Sequence, residues 1–102
     1  MANFSNAICY GIEFRACDLK CANFSRTNFA HQVNNRMYYC SVFISGCNLS
    51  YANMVRVCFE SCELFENRWI GTNLKDASLK ESDLSRCVFS EDVWEQFSLQ
   101  GG

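Results

Sequence analysis

Proline is absent from the 102 residues, so no position is barred from a hydrogen-bonded backbone ladder on that account. Histidine occurs once, at His31, which leaves no imidazole pair for metal binding or acid–base work. No Cys-x-x-Cys occurs among the eight cysteines; the closest pairs are Cys17/Cys21 and Cys58/Cys62. That spacing disfavours zinc, and no metal or other cofactor is expected. No apolar run approaches the roughly 18 residues of a membrane helix. The start, MANFSNAICYG, lacks both a basic region and an apolar stretch, so it does not read as an export signal. The expectation is a cytoplasmic protein with no membrane association. Its thiols would then be kept reduced, which weakens the reading of a disulfide scaffold. Net charge is −2, which supplies no strong overall field for nucleic acid, and direct nucleic-acid binding is not expected. A glycine-rich phosphate loop, a nucleophile–base pair and a paired-acid motif are also missing, so an enzyme is not expected.

What is present is a period of five. In CANFSRTNFA, ANF is followed five residues on by TNF, and CNLSYANM and GTNLKDASL continue the pattern. Every fifth residue from Phe4 to Leu99 gives twenty positions, of which eighteen are large and apolar; Cys9 and Asn34 are the exceptions. The series two residues earlier, from Ala2 to Phe97, is Ala, Cys, Ser, Thr or Val at fourteen of twenty positions. Between them lies an Asn/Asp-rich position: Asn3, Asp18, Asn23, Asn28, Asn48, Asn53, Asn73 and Asp83. Twenty residues are charged, yet of the forty positions in the two series only Asp92 is. Those positions face a core, because an unpaired buried charge is costly.

Five matches neither the 3.6-residue helix nor a continuous strand. Two inward positions lie two residues apart, as on one strand face, and the chain must then turn. Gly11, Gly46, Gly71 and Gly101 all fall two after a centre, where a corner favours positive φ. Four such corners close a coil in twenty residues. The fold class is therefore all-β: a quadrilateral β-helix of about five coils occupying 1–102 as one domain. Cys17, Cys47, Cys62 and Cys87 take small inward positions and read as core packing, whereas Cys21, Cys40 and Cys58 point elsewhere.

These repeats resemble the pentapeptide-repeat family, whose motif is small–Asp/Asn–Leu/Phe–x–x, over residues 2–101 in one frame. The resemblance implies that the β-helix is right-handed. CYGIEFRACDLK, ANFSRTNFAHQV, SGCNLSYANM, CELFENRWIGTNL and LKESDLSR further resemble the central part of the Qnr quinolone-resistance proteins of the S type. That similarity implies a non-catalytic bacterial protein that mimics DNA, binds DNA gyrase and topoisomerase IV, and protects them from quinolones. It also implies truncation at both ends, without the C-terminal helix through which that family dimerises. Cys21, Asp76 and Cys87 stand where the resemblance leads one to expect glycine. The alternative is a structural or interaction solenoid without resistance activity.

The frame is weakest in AHQVNNRMYYCS, residues 30–41, where Asn34 falls at a centre and Gln32 and Met37 at small positions. Either these are in-frame sides, or about ten residues leave the coil. Ten is two repeats, so the frame cannot separate the two. The loop reading is preferred: long ordered loops are usually functional. The Qnr resemblance implies that a loop here contacts the topoisomerase, which makes Arg36, Met37, Tyr38 and Tyr39 the candidate binding residues, of types enriched at interface hot spots. In the tail SEDVWEQFSLQ, Ser90 could cap a helix, but Trp94 and Leu99 keep the coil frame. A coil is preferred there, with Leu99 stacked on Leu79 and open strand edges at both ends inviting self-association.

Charge divides along the chain. Residues 1–56 carry five basic and two acidic side chains; residues 57–102 carry four and nine. Five coils at about 4.8 Å span roughly 24 Å, a length over which duplex DNA holds about 14 phosphates. Only the second half approaches a DNA-like surface. Its candidate acidic face is Glu60, Glu63, Glu66, Asp76, Glu81, Asp83, Glu91 and Glu95.

Overall fold

The computed structural model describes residues 2–9, 12–29, 31–33, 37–39, 42–59, 62–79 and 82–99, with side chains for all of these except 31–33, 37–39 and 97–99. The chain is a β-helix built from five-residue sides. Its longer elements are β1 (Glu13–Arg15), β2 (His31–Val33), β3 (Met37–Tyr39), β4 (Phe43–Ser45), β5 (Arg68–Trp69), β6 (Val88–Phe89) and α1 (Glu91–Leu99). Most sides make a single parallel bridge to the coil before and the coil after.

The bridges define four sides. Side one runs through Asn3, Asn23, Asn53 and Asn73; side two through Ile8, Asn28, Cys58 and Ser78. Side three runs through Glu13, Phe43, Glu63 and Asp83, and side four through Asp18, Asn48, Arg68 and Val88. Backbone bonds join each coil to the next, as in Phe24 N–H to the Asn53 carbonyl (2.8 Å) and Asn53 N–H to the Ala22 carbonyl (2.9 Å).

Each residue of the repeat has a structural task. The centre residue fills the axis: Phe24, Phe29, Ile44, Leu49, Met54, Phe59, Leu64, Trp69 and Leu74 are all buried. Centres stack down a side, with the Phe4 and Phe24 rings parallel at 4.9 Å and Phe29 and Phe59 at 4.6 Å. The small residue lets coils approach and, at several positions, donates to a centre carbonyl of the preceding coil. Thr72 Oγ1 donates to Leu49 O (2.8 Å), Thr27 Oγ1 to Phe4 O (2.7 Å), Ser82 Oγ to Phe59 O, and Cys87 Sγ to Leu64 O (3.0 Å). The Asn/Asp carboxamide or carboxylate oxygen accepts the N–H two residues on, as Asn23 does from Ser25 (3.0 Å) and Asn73 from Lys75 (3.1 Å). That local bond pre-forms the turn.

The corner follows. The centre carbonyl accepts the N–H three residues on, as in Thr27 to Phe24 (3.0 Å) and Ala77 to Leu74 (3.0 Å). The residue two after the centre has positive φ, as at i+2 of a type II turn. Glycine meets this need at Gly46 and Gly71, but Asn6, Ala16, Cys21, Arg26, Tyr51, Arg56, Glu66, Asp76 and Arg86 do so too. Coil closure therefore holds side-chain-bearing residues in a conformation that costs roughly 1–2 kcal/mol each.

Two departures from the sequence expectations matter. The tail is the α-helix α1, not a coil side. Ser90 opens it, its carbonyl accepting Trp94 N–H at 3.0 Å, and Glu91 and Asp92 lie in the first turn, where acidic groups suit the helix dipole. Among the helix side chains described, 91–96, Val93 is buried, whereas Trp94, a centre in the five-residue frame, is 59% exposed. Leu99 therefore lies on α1 and does not continue the side of Leu79. The last described coil is consequently not open along its whole edge: Gln96 of α1 bonds the backbone of side one. Cys62 also departs from the fully reduced set, since it is buried and disulfide-bonded. Cys9, Cys17, Cys21, Cys47, Cys58 and Cys87 form no disulfide.

Candidate partner-binding surface

β2 and β3 pair antiparallel, with His31 opposite Tyr39 and Val33 opposite Met37. Every bridge described between coils is parallel. The register steps at the same place. Bridged partners lie twenty residues apart before and after this segment, as in Asn3–Asn23 and Asn53–Asn73, but thirty apart across it, as in Asp18–Asn48 and Asn28–Cys58. Ten residues are thus spent between side two and side three without advancing the coil. Met37, Tyr38 and Tyr39 form β3, whereas Arg36 lies outside the described residues.

The chain re-enters the coil at buried Val42 and then forms β4 on side three. The outward surface of this side carries an aromatic and basic strip that the sequence reading missed. The Arg15 guanidinium sits over the Phe43 ring at 4.2 Å and pairs with Glu13 at 2.6 Å. The rings of Phe43 and Phe65 meet edge to face at 5.0 Å. The available signal was that both phenylalanines fall at outward positions, one before and one after a centre, where the repeat otherwise favours polar residues. Phe65, Glu66, Ser85 and Arg86 line a shallow cavity of about 360 Å³ beside it.

The acidic candidates do not share one face. Glu63 and Asp83 are bridged neighbours on side three, and Glu66 lies on the following corner, 3.9 Å from Arg86. Asp76 is on the corner after side one, 4.0 Å from Arg56. Glu91 and Glu95 lie four residues apart on α1. All six are exposed; Glu60 and Glu81 lie outside the described residues. Hydrogen bonds from the Ser85 hydroxyl and N–H hold the Asp83 carboxyl below its ordinary range.

Among the described residues, no three His, Cys, Asp or Glu side chains come together as a metal site, and no helix is long and apolar enough to cross a membrane. The surface offers shape, charge and exposed aromatic groups for contact with another macromolecule.

A sequence profile of pentapeptide repeats matches residues 2–31 and 68–91, with eight copies. The chain belongs to the pentapeptide-repeat family. Within that family it is 56% identical over 100 residues to the pentapeptide repeat protein VPA0095 of Vibrio parahaemolyticus, covering 98% of this chain and 46% of that one. It is 45% identical over 74 residues to the quinolone resistance pentapeptide repeat protein QnrB96 of Scandinavium goeteborgense, covering 72% and 35% respectively. A solved structure of trypsin-treated QnrB1, a plasmid-mediated fluoroquinolone resistance protein, superposes with a TM-score of 0.72 at 41% identity, covering 85% of this chain and 37% of that one. The chain is thus homologous to the Qnr proteins and spans less than half the length of these relatives. The stretch the repeat profile leaves unmatched, 32–67, contains β3, yet its part from residue 42 onward keeps the bridge ladder.

Proposed function

We propose that this pentapeptide-repeat protein acts without catalysis by binding the type II topoisomerases DNA gyrase and topoisomerase IV, protecting them from quinolones. The homology to Qnr proteins, together with an antiparallel hairpin that interrupts the coil, supports this reading. In it the coil is right-handed, has about five turns and acts as a rigid mount in the bacterial cytoplasm. The hairpin, through Arg36, Met37, Tyr38 and Tyr39, contacts the enzyme. The acidic second half, with Glu63, Glu66 and Asp83 on and beside side three, stands in for part of a DNA phosphate surface. No direct contact with nucleic acid or membrane is needed.

A second reading, an interaction solenoid with the Qnr coil but without its activity, rests on the 56% identity to VPA0095, whose name says only that it is a pentapeptide repeat protein. A supercoiling assay separates the two. Gyrase inhibited by ciprofloxacin is titrated with the protein; recovery of supercoiling supports protection, and no recovery across a wide titration supports the second reading.

A further inference from the structure

We propose that Cys17 and Cys47 form a hydroperoxide-responsive dithiol that closes to a disulfide between two successive coils. Both occupy the small inward position of side four, immediately before the bridged pair Asp18 and Asn48. Asn48 N–H donates to the Cys17 carbonyl at 3.0 Å, and Cys17 N–H points at the Cys47 sulfur at 3.4 Å. In-register neighbours in a parallel ladder lie about 4.8 Å apart, inside the roughly 4.4–6.8 Å Cα range of disulfides.

Among the described residues, the coil registers set no cysteine beside Cys9, Cys21 or Cys87. Cys58 is bridged to Asn28 and Ser78. Cys21 stacks against Tyr51, Cys9 against Phe29 and Cys87 against Asn67, by the same registers. The two thiols also differ in access: Cys47 is buried, while Cys17 is partly exposed. A peroxide therefore reaches Cys17 first.

The chemistry balances. The Cys17 thiolate attacks one peroxide oxygen; the O–O bond breaks, an S–O bond forms, and water leaves after protonation. The Cys47 sulfur then attacks the sulfenic sulfur of Cys17. An S–S bond forms, the S–O bond breaks, and hydroxide departs with the Cys47 proton as a second water. The resulting bond joins residues on either side of the β2–β3 hairpin and locks together the two coils that flank it.

The test treats the full chain with hydrogen peroxide and maps its peptides without reduction. The expected product is a Cys17–Cys47 linked peptide, two hydrogens lighter than its reduced halves and separated by dithiothreitol. The thermal midpoint should rise by several degrees on oxidation and return on reduction. Closure should accelerate as pH rises, because burial holds the Cys47 thiol above its ordinary pKa and only its thiolate attacks. Cys17→Ser should leave Cys47 unmodified. Cys17 accumulating as sulfinic acid beside a reduced Cys47 would overturn the proposal. So would an unmodified Cys17 once the exposed Cys21 is consumed.

Discussion

The side-chain amide of Gln96 bonds the edge of Leu74 as another strand would. Its oxygen accepts Leu74 N–H at 2.7 Å, and its nitrogen donates to the neighbouring Thr72 carbonyl at 3.1 Å. One coil earlier the equivalent groups of side one are served by backbone: Met54 N–H by the Asn73 carbonyl and the Ala52 carbonyl by Asn73 N–H. A single carboxamide, presented by α1, thus reproduces one repeat's worth of ladder. Terminal repeats of a solenoid need a covering of this kind.

Gln96→Ala removes both bonds at a site only partly open to water. A loss of about 1–2 kcal/mol is expected. Melting followed by circular dichroism should show a midpoint lower by about 4–8 °C per kcal/mol. An unchanged midpoint would mean that solvent serves the edge equally well.

Asn67 is the polar residue on which the interior depends most. It is 1% exposed; its oxygen accepts Cys47 N–H at 2.9 Å, and its nitrogen donates to the Ile44 and Leu64 carbonyls, both at 2.8 Å. Asn67→Ala leaves a buried donor without its partner as well as opening a void, and about 3 kcal/mol should be lost. Asn67→Thr restores a donor toward the preceding coil, as Thr72 supplies one to Leu49, and should recover part of that loss. Urea titration of both variants gives the comparison.

Trp69 fills the axis at side four, fully buried against Phe59 and Phe89. Trp69→Ala should cost about 3–5 kcal/mol. Denaturant unfolding monitored by circular dichroism should show a much lower midpoint, and an effect below about 1 kcal/mol would contradict its place in the core.

The five-residue frame made the sides, the axis and the corners legible, because each is set by bonds within one repeat or to the next. Asn23 bonding Ser25 is local, and so is the positive φ at Arg26. The tail departs from the five-residue frame for a physical reason. Trp94 and Leu99 land on the frame by position alone, while the helix is decided by Ser90 as its opening residue and by Gln96 meeting side one, a contact no spacing reveals. The lone inward-series charge, Asp92, was the available warning. The segment 30–41 was ambiguous because ten residues equal two repeats; the bridge register, stepping from twenty to thirty, carries the information that the frame does not. The Arg15–Phe43–Phe65 strip was hidden because outward aromatics break no rule of the core.

Charge should matter less than the hairpin. Replacing Glu63 and Glu66 with glutamine removes exposed negative charge without touching the axis. Gyrase binding, measured by surface plasmon resonance, should weaken modestly at low salt and by less at high salt, where surface charges are screened. A loss as large at high salt as at low would point to direct contacts rather than to the field.

The central claim is that a regular coil carries a hairpin which recognises the partner and contributes little to the fold. Circular dichroism melting of the Met37→Ser, Tyr38→Ser, Tyr39→Ser triple variant tests it most directly. Residues outside the coil add little to its stability, so the account predicts an unchanged melting temperature, in a protein that no longer protects gyrase. A collapse of many degrees would place Tyr39 in the axis and contradict it.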